Sequence, residues 1–193
     1  WRHPTQGLLF PDTFIPVAEQ IGVIEGLTRW VLNAALEQFS RWQSQGRDLS
    51  VSVNLSALSL HNHEIGDTVE KLLETWQVPA SRLVLEITES AIISHLARAS
   101  ETLGRLHALG VRVAIDDFGT GYTSLAYLRK LPVNELKIDK SFVMNMLRIN
   151  DDSVIVRTII ELAHNLGLQV VAEGVEDAAT WQALRELGCN IAQ

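Results

Sequence analysis

The chain holds one cysteine, Cys189, in 193 residues, so no intrachain disulfide framework can form. A reducing compartment, and hence the cytoplasm, fits that single thiol. Proline is sparse at five residues, and no low-complexity stretch or linker interrupts the chain. One domain over residues 1–193 is therefore expected. No apolar run approaches the roughly 18 residues that a membrane-spanning helix requires. Basic residues are in deficit, 16 against 23 acidic, which gives a net charge of −7. Without a lysine and arginine surplus the chain is a poor non-specific binder of bulk nucleic acid. It can still hold a phosphate if divalent cations bridge the two negative partners. The start, Trp1-Arg2-His3-Pro4, has no signal-peptide pattern and no Met, and reads as a cut inside a larger protein.

What the chain does have is alternation. Short β-branched runs near 51–54, 83–88, 111–116, 134–139, 169–173 and 188–192 predict strands. Segments with helical periodicity lie near 12–20, 26–44, 65–76, 95–108, 123–129, 152–166 and 178–187. Leu27, Val31, Leu32, Ala35 and Phe39 form one apolar stripe; Leu96, Leu103, Leu106 and Leu109 form another. Gly110 and Gly167 fall just past helix ends, where a left-handed cap is expected. Strand–helix alternation predicts parallel β/α units. No Gly-x-Gly-x-x-Gly follows the first strand, so a dinucleotide-binding fold gains little support. The units suggest a (β/α)8 barrel lacking its beginning and its very end, although an open α/β sheet would give the same alternation.

The polar residues cluster at strand ends. The runs finish in Asn54, Glu86, Asp116-Asp117, Lys137-x-Asp139 and Glu173, and Gln193 follows the last run. Parallel α/β folds build their sites at the carboxyl ends of strands. A single acid there could be a helix N-cap, a role open to Asp117 and Asp139. Repetition over five strands is harder to read as capping. Four carboxylates and an amide oxygen are hard donors suited to Mg²⁺ or Mn²⁺. Adjacent Asp116 and Asp117 would repel one another without cations. Lys137 on a buried strand needs a partner; at the barrel mouth it could position or deprotonate a water, or neutralise developing charge. Otherwise its ammonium would snorkel to solvent. Glu89, just past its strand, could cap a helix or pin a neighbouring loop. Gly119 and Gly121 permit a close backbone approach between Asp116 and Leu125. His61 and His63 lack any zinc-type companion and read as surface histidines. Trp30, Trp42, Trp76 and Trp181 fall on helices and read as packing residues.

These segments resemble the EAL-domain family. The likeness rests on Phe14-Ile-Pro-Val-Ala-Glu19, Val53-Asn-Leu-Ser56, Leu85-Glu-Ile-Thr-Glu89, Ile115-Asp-Asp-Phe-Gly-Thr-Gly-Tyr122, Leu136-Lys-Ile-Asp139 and Val171-Ala-Glu-Gly-Val-Glu176. The resemblance implies a TIM-like barrel whose first strand is antiparallel, and hydrolysis of cyclic di-GMP to linear pGpG with two divalent cations. Carried over by position, Asn54, Glu86 and Asp116 hold the first metal. Asp116 and Asp117 help to hold the second, with Glu173 binding directly or through water. Lys137 contacts the attacking water or the phosphate, and Gln193 orients a water at the metals. Glu89 holds the Asp117–Tyr122 loop near a homodimer contact, while Asp139 and Glu176 support the site from nearby. The resemblance also implies fusion to sensory or GGDEF domains. The family's Glu-Ala-Leu-x-Arg, which carries a metal-ligating glutamate and a substrate-binding arginine, would stand just before Trp1.

Two other readings use the same residues. A degenerate EAL-like domain would bind cyclic di-GMP as a receptor without cutting it. Without any family resemblance, Lys137 could form a Schiff base in an aldolase-like lyase, although that chemistry has no use for so many carboxylates.

Overall fold

The computed structural model describes residues 1–121 and 125–193. A small antiparallel hairpin, β1 (Arg2–His3) with β2 (Gly7–Leu8), comes first, and helices α1 (Pro11–Gln20) and α2 (Ile24–Ser44) follow. Strand β3 (Val51–Asn54) leads through α3 (Ala57–Leu60) and α4 (Ile65–Trp76) to β4 (Leu83–Thr88). Next come α5 (Glu89–Ser94), α6 (Leu96–Ala108), β5 (Arg112–Phe118), α7 (Leu125–Leu128) and β6 (Glu135–Ile138). The chain ends with α8 (Lys140–Val143), α9 (Asn150–Asn165), β7 (Gln169–Ala172), α10 (Ala178–Glu186) and β8 (Ile191–Ala192). Of the helix expected over 123–129, residues 123 and 124 lie outside the described ones, and α7 covers Leu125–Leu128.

Strand order decides between barrel and open sheet. The six strands β3 to β8 pair in parallel in strict chain order. A doubly wound sheet reverses its order at a switch point; this sheet never does. Right-handed crossovers that all step the same way put every helix on one face. The other face becomes the inner lining of a barrel-type arc. The hairpin is the one antiparallel pair among the described residues, and it stands outside this sheet.

The alternation of side chains follows from that geometry. Val53, Leu83, Leu85, Ile87, Val113, Ile115, Leu136, Ile138, Val170 and Ala172 point outward into the main hydrophobic cluster under the helices. Fully burying a side chain such as Leu85 or Leu136 contributes about 1.5–3 kcal/mol. The alternate residues, including Glu86, Asp116, Glu135 and Lys137, line the inside. Two asparagines fix the register at the strand starts. Asn134 Oδ1 accepts from the Val113 N–H at 2.9 Å, and Asn190 Oδ1 accepts from the Val170 N–H at 2.8 Å.

Two sequence expectations shift here. On α2 Leu32 and Phe39 are buried as expected and Val31 and Ala35 pack half-buried beside them, while Ile24, Thr28 and Leu36 widen the buried stripe beyond the one read by periodicity. Trp30 lies off that stripe and is 67% exposed, and Trp181 is 47% exposed beneath Arg185, so neither is a packing residue. Trp76 does pack, with its indole N–H donating to Asn33 Oδ1. Gly110 and Gly167 take the left-handed cap expected of them, at φ +85° and +74°.

Candidate metal centre and active site

Four strand ends converge on one ammonium. Lys137 Nζ lies 2.9 Å from Glu86 Oε2, 3.0 Å from Asp116 Oδ1 and 2.5 Å from Glu173 Oε1. Register explains the meeting. Glu86 on β4 and Asp116 on β5 share the inner face with Lys137 on β6, and Glu173 directly follows β7. The lysine is 3% exposed, so its ammonium does not snorkel to solvent. Burial alone would lower its pKa; hydrogen bonds to Glu173, Glu86 and Asp116 outweigh that and hold it well above the ordinary lysine range. An ammonium held charged in this way neutralises and positions. It is a poor proton acceptor and a poor Schiff-base nucleophile, both of which require the free amine.

A β-bulge supplies the fourth carboxylate. Ile115 pairs with Leu136 and Phe118 with Ile138, so Asp116 and Asp117 together oppose Lys137 alone. The extra residue adopts a left-handed conformation, Asp117 φ +52°, uncommon for a non-glycine residue. Without the bulge, alternation would turn Asp117 away from Asp116. With it, carboxylate oxygens of Asp116, Asp117 and Glu173 all lie within 4.8 Å of one another. Burial, then the Asp116 charge, then the Asp139 carboxyl bonded to it push Asp117 up to about 6. That crowding of like charge is what a hard divalent cation relieves, so the donor set fits such an ion.

The loops around the mouth are built from the same segments. Asp139 caps α8, its Oδ1 accepting from the Ser141 N–H at 2.8 Å, while its carboxyl also meets that of Asp117. Glu89 opens α5, 4% exposed, and its Oε2 accepts from the Gly119 N–H at 3.4 Å. A Cβ at Gly121 would stand 2.8 Å from the Glu89 carboxyl carbon, so the loop lies flat against that acid. Tyr122, the far end of the loop read from the sequence, lies outside the described residues.

The EAL-domain family matches residues 1–193. The chain belongs to the EAL-domain family. Its relatives include the bifunctional diguanylate cyclase/cyclic di-GMP phosphodiesterase MucR of Pseudomonas aeruginosa, 42% identical over 194 residues. That alignment covers 100% of this chain and 28% of MucR. The cyclic di-GMP phosphodiesterase NbdA of the same organism is 45% identical over 194 residues, covering 100% of this chain and 25% of NbdA. The chain thus spans only about a quarter of the length of these curated relatives. Among solved structures, the MucR phosphodiesterase in complex with c-di-GMP superposes with a TM-score of 0.95 at 42% identity, covering 100% of this chain and 78% of that one. The EAL enzyme Bd1971, in its cAMP- and cyclic-di-GMP-bound form, gives 0.94 at 33% identity, covering 100% and 54%.

Within this EAL domain the remaining candidates lie at graded distances from the cluster. Asn54 ends β3 in register with Glu86. Gln193 is exposed beyond β8; its N–H donates to the Ala172 carbonyl, which holds it beside Glu173 in the sheet. Glu176 is exposed on the loop before α10 and makes no ion pair or hydrogen bond among the described residues. His63 is exposed as expected, whereas His61 is half-buried with its ring edge-on to His95 at 4.9 Å. Burial, then the His95 charge, lowers its pKa, so it is a neutral packing ring.

Sequence reasoning missed a second polar layer beneath Lys137. Arg112 on β5, Glu135 on β6 and Gln169 on β7 meet there on the inner face. The available signal was strand periodicity, since Glu135 shares a face with Lys137. Asp177 was missed as well. It caps α10 by accepting from the Thr180 N–H at 2.7 Å, which fixes the end of the Glu173 loop.

Proposed function

We propose that this chain is a cyclic di-GMP phosphodiesterase domain that opens one phosphodiester of the cyclic dinucleotide to give linear pGpG, using two Mg²⁺ or Mn²⁺ ions. One observation carries the reading: the converged Glu86, Asp116, Asp117 and Glu173 carboxylates around Lys137, in a family whose relatives MucR and NbdA are named as cyclic di-GMP phosphodiesterases. Asn54, Glu86 and Asp116 would hold one cation; Asp116, Asp117 and Glu173 would hold the other. When bound, such cations supply Lewis acidity toward phosphoryl oxygens and a more acidic water at neutral pH.

The chain's own groups do the rest. The Lys137 ammonium sits where a phosphate would approach the carboxylates, and offsets negative charge that builds on its oxygens. Gln193 orients the attacking water by its amide. Glu89 keeps the loop after Asp117 against the mouth, and so fixes where Asp117 points. Asp139 holds the Asp117 carboxyl from the side, and Glu176 would support the site from nearby, on the loop that follows Glu173. The whole protein would act as a cytoplasmic homodimer, with sensory or GGDEF domains attached; the bifunctional name of MucR supports the last point.

The test is direct. The protein is incubated with cyclic di-GMP and either Mg²⁺ or Mn²⁺, and the nucleotides are separated. Linear pGpG should accumulate, and a chelator should stop it. Tight binding of cyclic di-GMP with no product would sink the enzymatic reading and leave a receptor.

A further inference from the structure

The layer beneath Lys137 is costly and calls for an explanation. Glu135 is 5% exposed inside the barrel. Arg112 Nη2 lies 2.7 Å from its Oε1, yet that oxygen accepts no aligned hydrogen bond among the described residues. The same Nη2 donates to Gln169 Oε1 at 2.6 Å. A buried carboxylate with one imperfect cation partner costs more than an apolar residue of similar size. Arg112 does not require it, because 30% of its side chain reaches solvent.

Glu135 also lies on the strand just below the lysine. It stands on the same face of β6 as Lys137, two residues earlier, roughly 6.6 Å along the strand. Burial pushes its carboxyl up; Arg112 pulls it back, Glu86 pushes it further, and Lys137 pulls it back. Charges therefore alternate along the inner face: Arg112, Glu135, Lys137, then the carboxylates of the mouth. The three acids that touch Lys137 are the ones assigned to the cations. A carboxylate drawn onto a divalent ion no longer gives its full charge to an ammonium. Glu135, near the start of its strand, is too deep to be drawn up with them.

We propose that Glu135, paired with an Arg112 that Gln169 anchors, is a positioning residue for Lys137: the deeper negative charge that keeps the ammonium seated when divalent cations take the three carboxylates it touches. The inference rests on the metal-ligand assignment above. Its consequence is that removing the Glu135 charge makes Lys137 compete harder for Glu86, Asp116 and Glu173, so cation binding weakens even before substrate arrives.

The experiment is a double-mutant cycle on Mn²⁺ affinity, measured by calorimetry without substrate. It uses wild type, Glu135→Gln, Lys137→Met and the double variant. Glu135→Gln should weaken Mn²⁺ binding about tenfold, which corresponds to about 1.4 kcal/mol of coupling. In the Lys137→Met background the same change should alter affinity by less than about twofold. Turnover should show kcat falling while KM for cyclic di-GMP holds. An equal loss of affinity in both backgrounds, or a Glu135→Gln protein that is merely less stable but binds Mn²⁺ like wild type, overturns the proposal. If Glu135→Gln does not fold, Glu135→Asp takes its place, since it withdraws the charge by one methylene and must give the same Lys137-dependent weakening. Wild type that binds Mn²⁺ but yields no pGpG sinks the enzymatic reading while the cycle still decides this one; wild type that binds no Mn²⁺ overturns both.

Discussion

Lys137→Met is the sharpest perturbation of this site. Methionine keeps the stem's approximate volume, so the change removes charge rather than packing. The Lys137 side chain is 4% exposed, and its partners Glu86, Asp116 and Glu173 are 10%, 14% and 20% exposed. Breaking a buried ion pair from one side costs about 3–5 kcal/mol, because the abandoned charge stays buried. In a domain of this size each kcal/mol moves Tm by about 2–4 °C. Without divalent cations, Lys137→Met should therefore melt about 6–20 °C below wild type. Saturating Mg²⁺ should reverse much of that loss. The ion now enters a cluster that no ammonium occupies, so it binds the variant more tightly and stabilises it more than it does wild type. Differential scanning calorimetry in chelator and in Mg²⁺ reads both effects, and a nucleotide assay should find turnover lost despite the recovered stability. An equal Tm deficit in chelator and in Mg²⁺ would refute the argument, as would no deficit in chelator.

Two further outcomes follow from the same geometry. Asp117 has its folded pKa raised from 3.8 to about 6, so the folded state binds its proton more tightly than the unfolded chain does. The cation-free protein is thus relieved as pH falls through 6; Asp117→Asn should raise its Tm at pH 7 to 8, the gain should vanish below pH 4, and Mg²⁺ should favour wild type instead. At Gly121 an added Cβ meets the Glu89 carboxyl carbon at 2.8 Å. Gly121→Ala should cost up to about a hundredfold in kcat through a displaced loop, with little change in Tm; unchanged kcat would show that the Glu89 contact does not position Asp117.

The strands were legible because the two faces of the sheet differ so sharply. Val-Ser-Val-Asn and Leu-Val-Leu-Glu-Ile-Thr keep an apolar outer face, with polar residues and Val84 on the inner one, and β3 and β4 occupy 51–54 and 83–88 as expected. The single-turn and short helices escaped notice, since four to six residues show no helical period. Their caps were nonetheless written in the sequence: Ser56, Thr88 and Asp139 each accept from a backbone N–H at the helix start. The hairpin β1–β2 has two residues per strand, too few for any alternation to register. Trp30 misled because a place on a helix does not say which face it takes, and the phase of α2 is set by Leu32, Leu36 and Phe39.

For the site, residue identity was legible and partnership was not. Strand-end chemistry marks Glu86, Asp116, Asp117, Lys137 and Glu173, but only register tells which of them the lysine reaches. It touches three of the acids and leaves Asp117 without its charge. The bulge, which no periodicity announces, is what brings Asp117 into the mouth at all. Asp117 is then the acid pushed up to about 6, by burial first and by Asp116 next. The folded chain thus sets one internal cation against three of the acids and leaves one carboxylate crowded. A divalent ion drawn by that crowded oxygen must compete with Lys137 for Asp116 and Glu173. Cation affinity in this site therefore depends on how firmly the lysine is held from below, a property set by Glu135 and Arg112 rather than by any of the ligands.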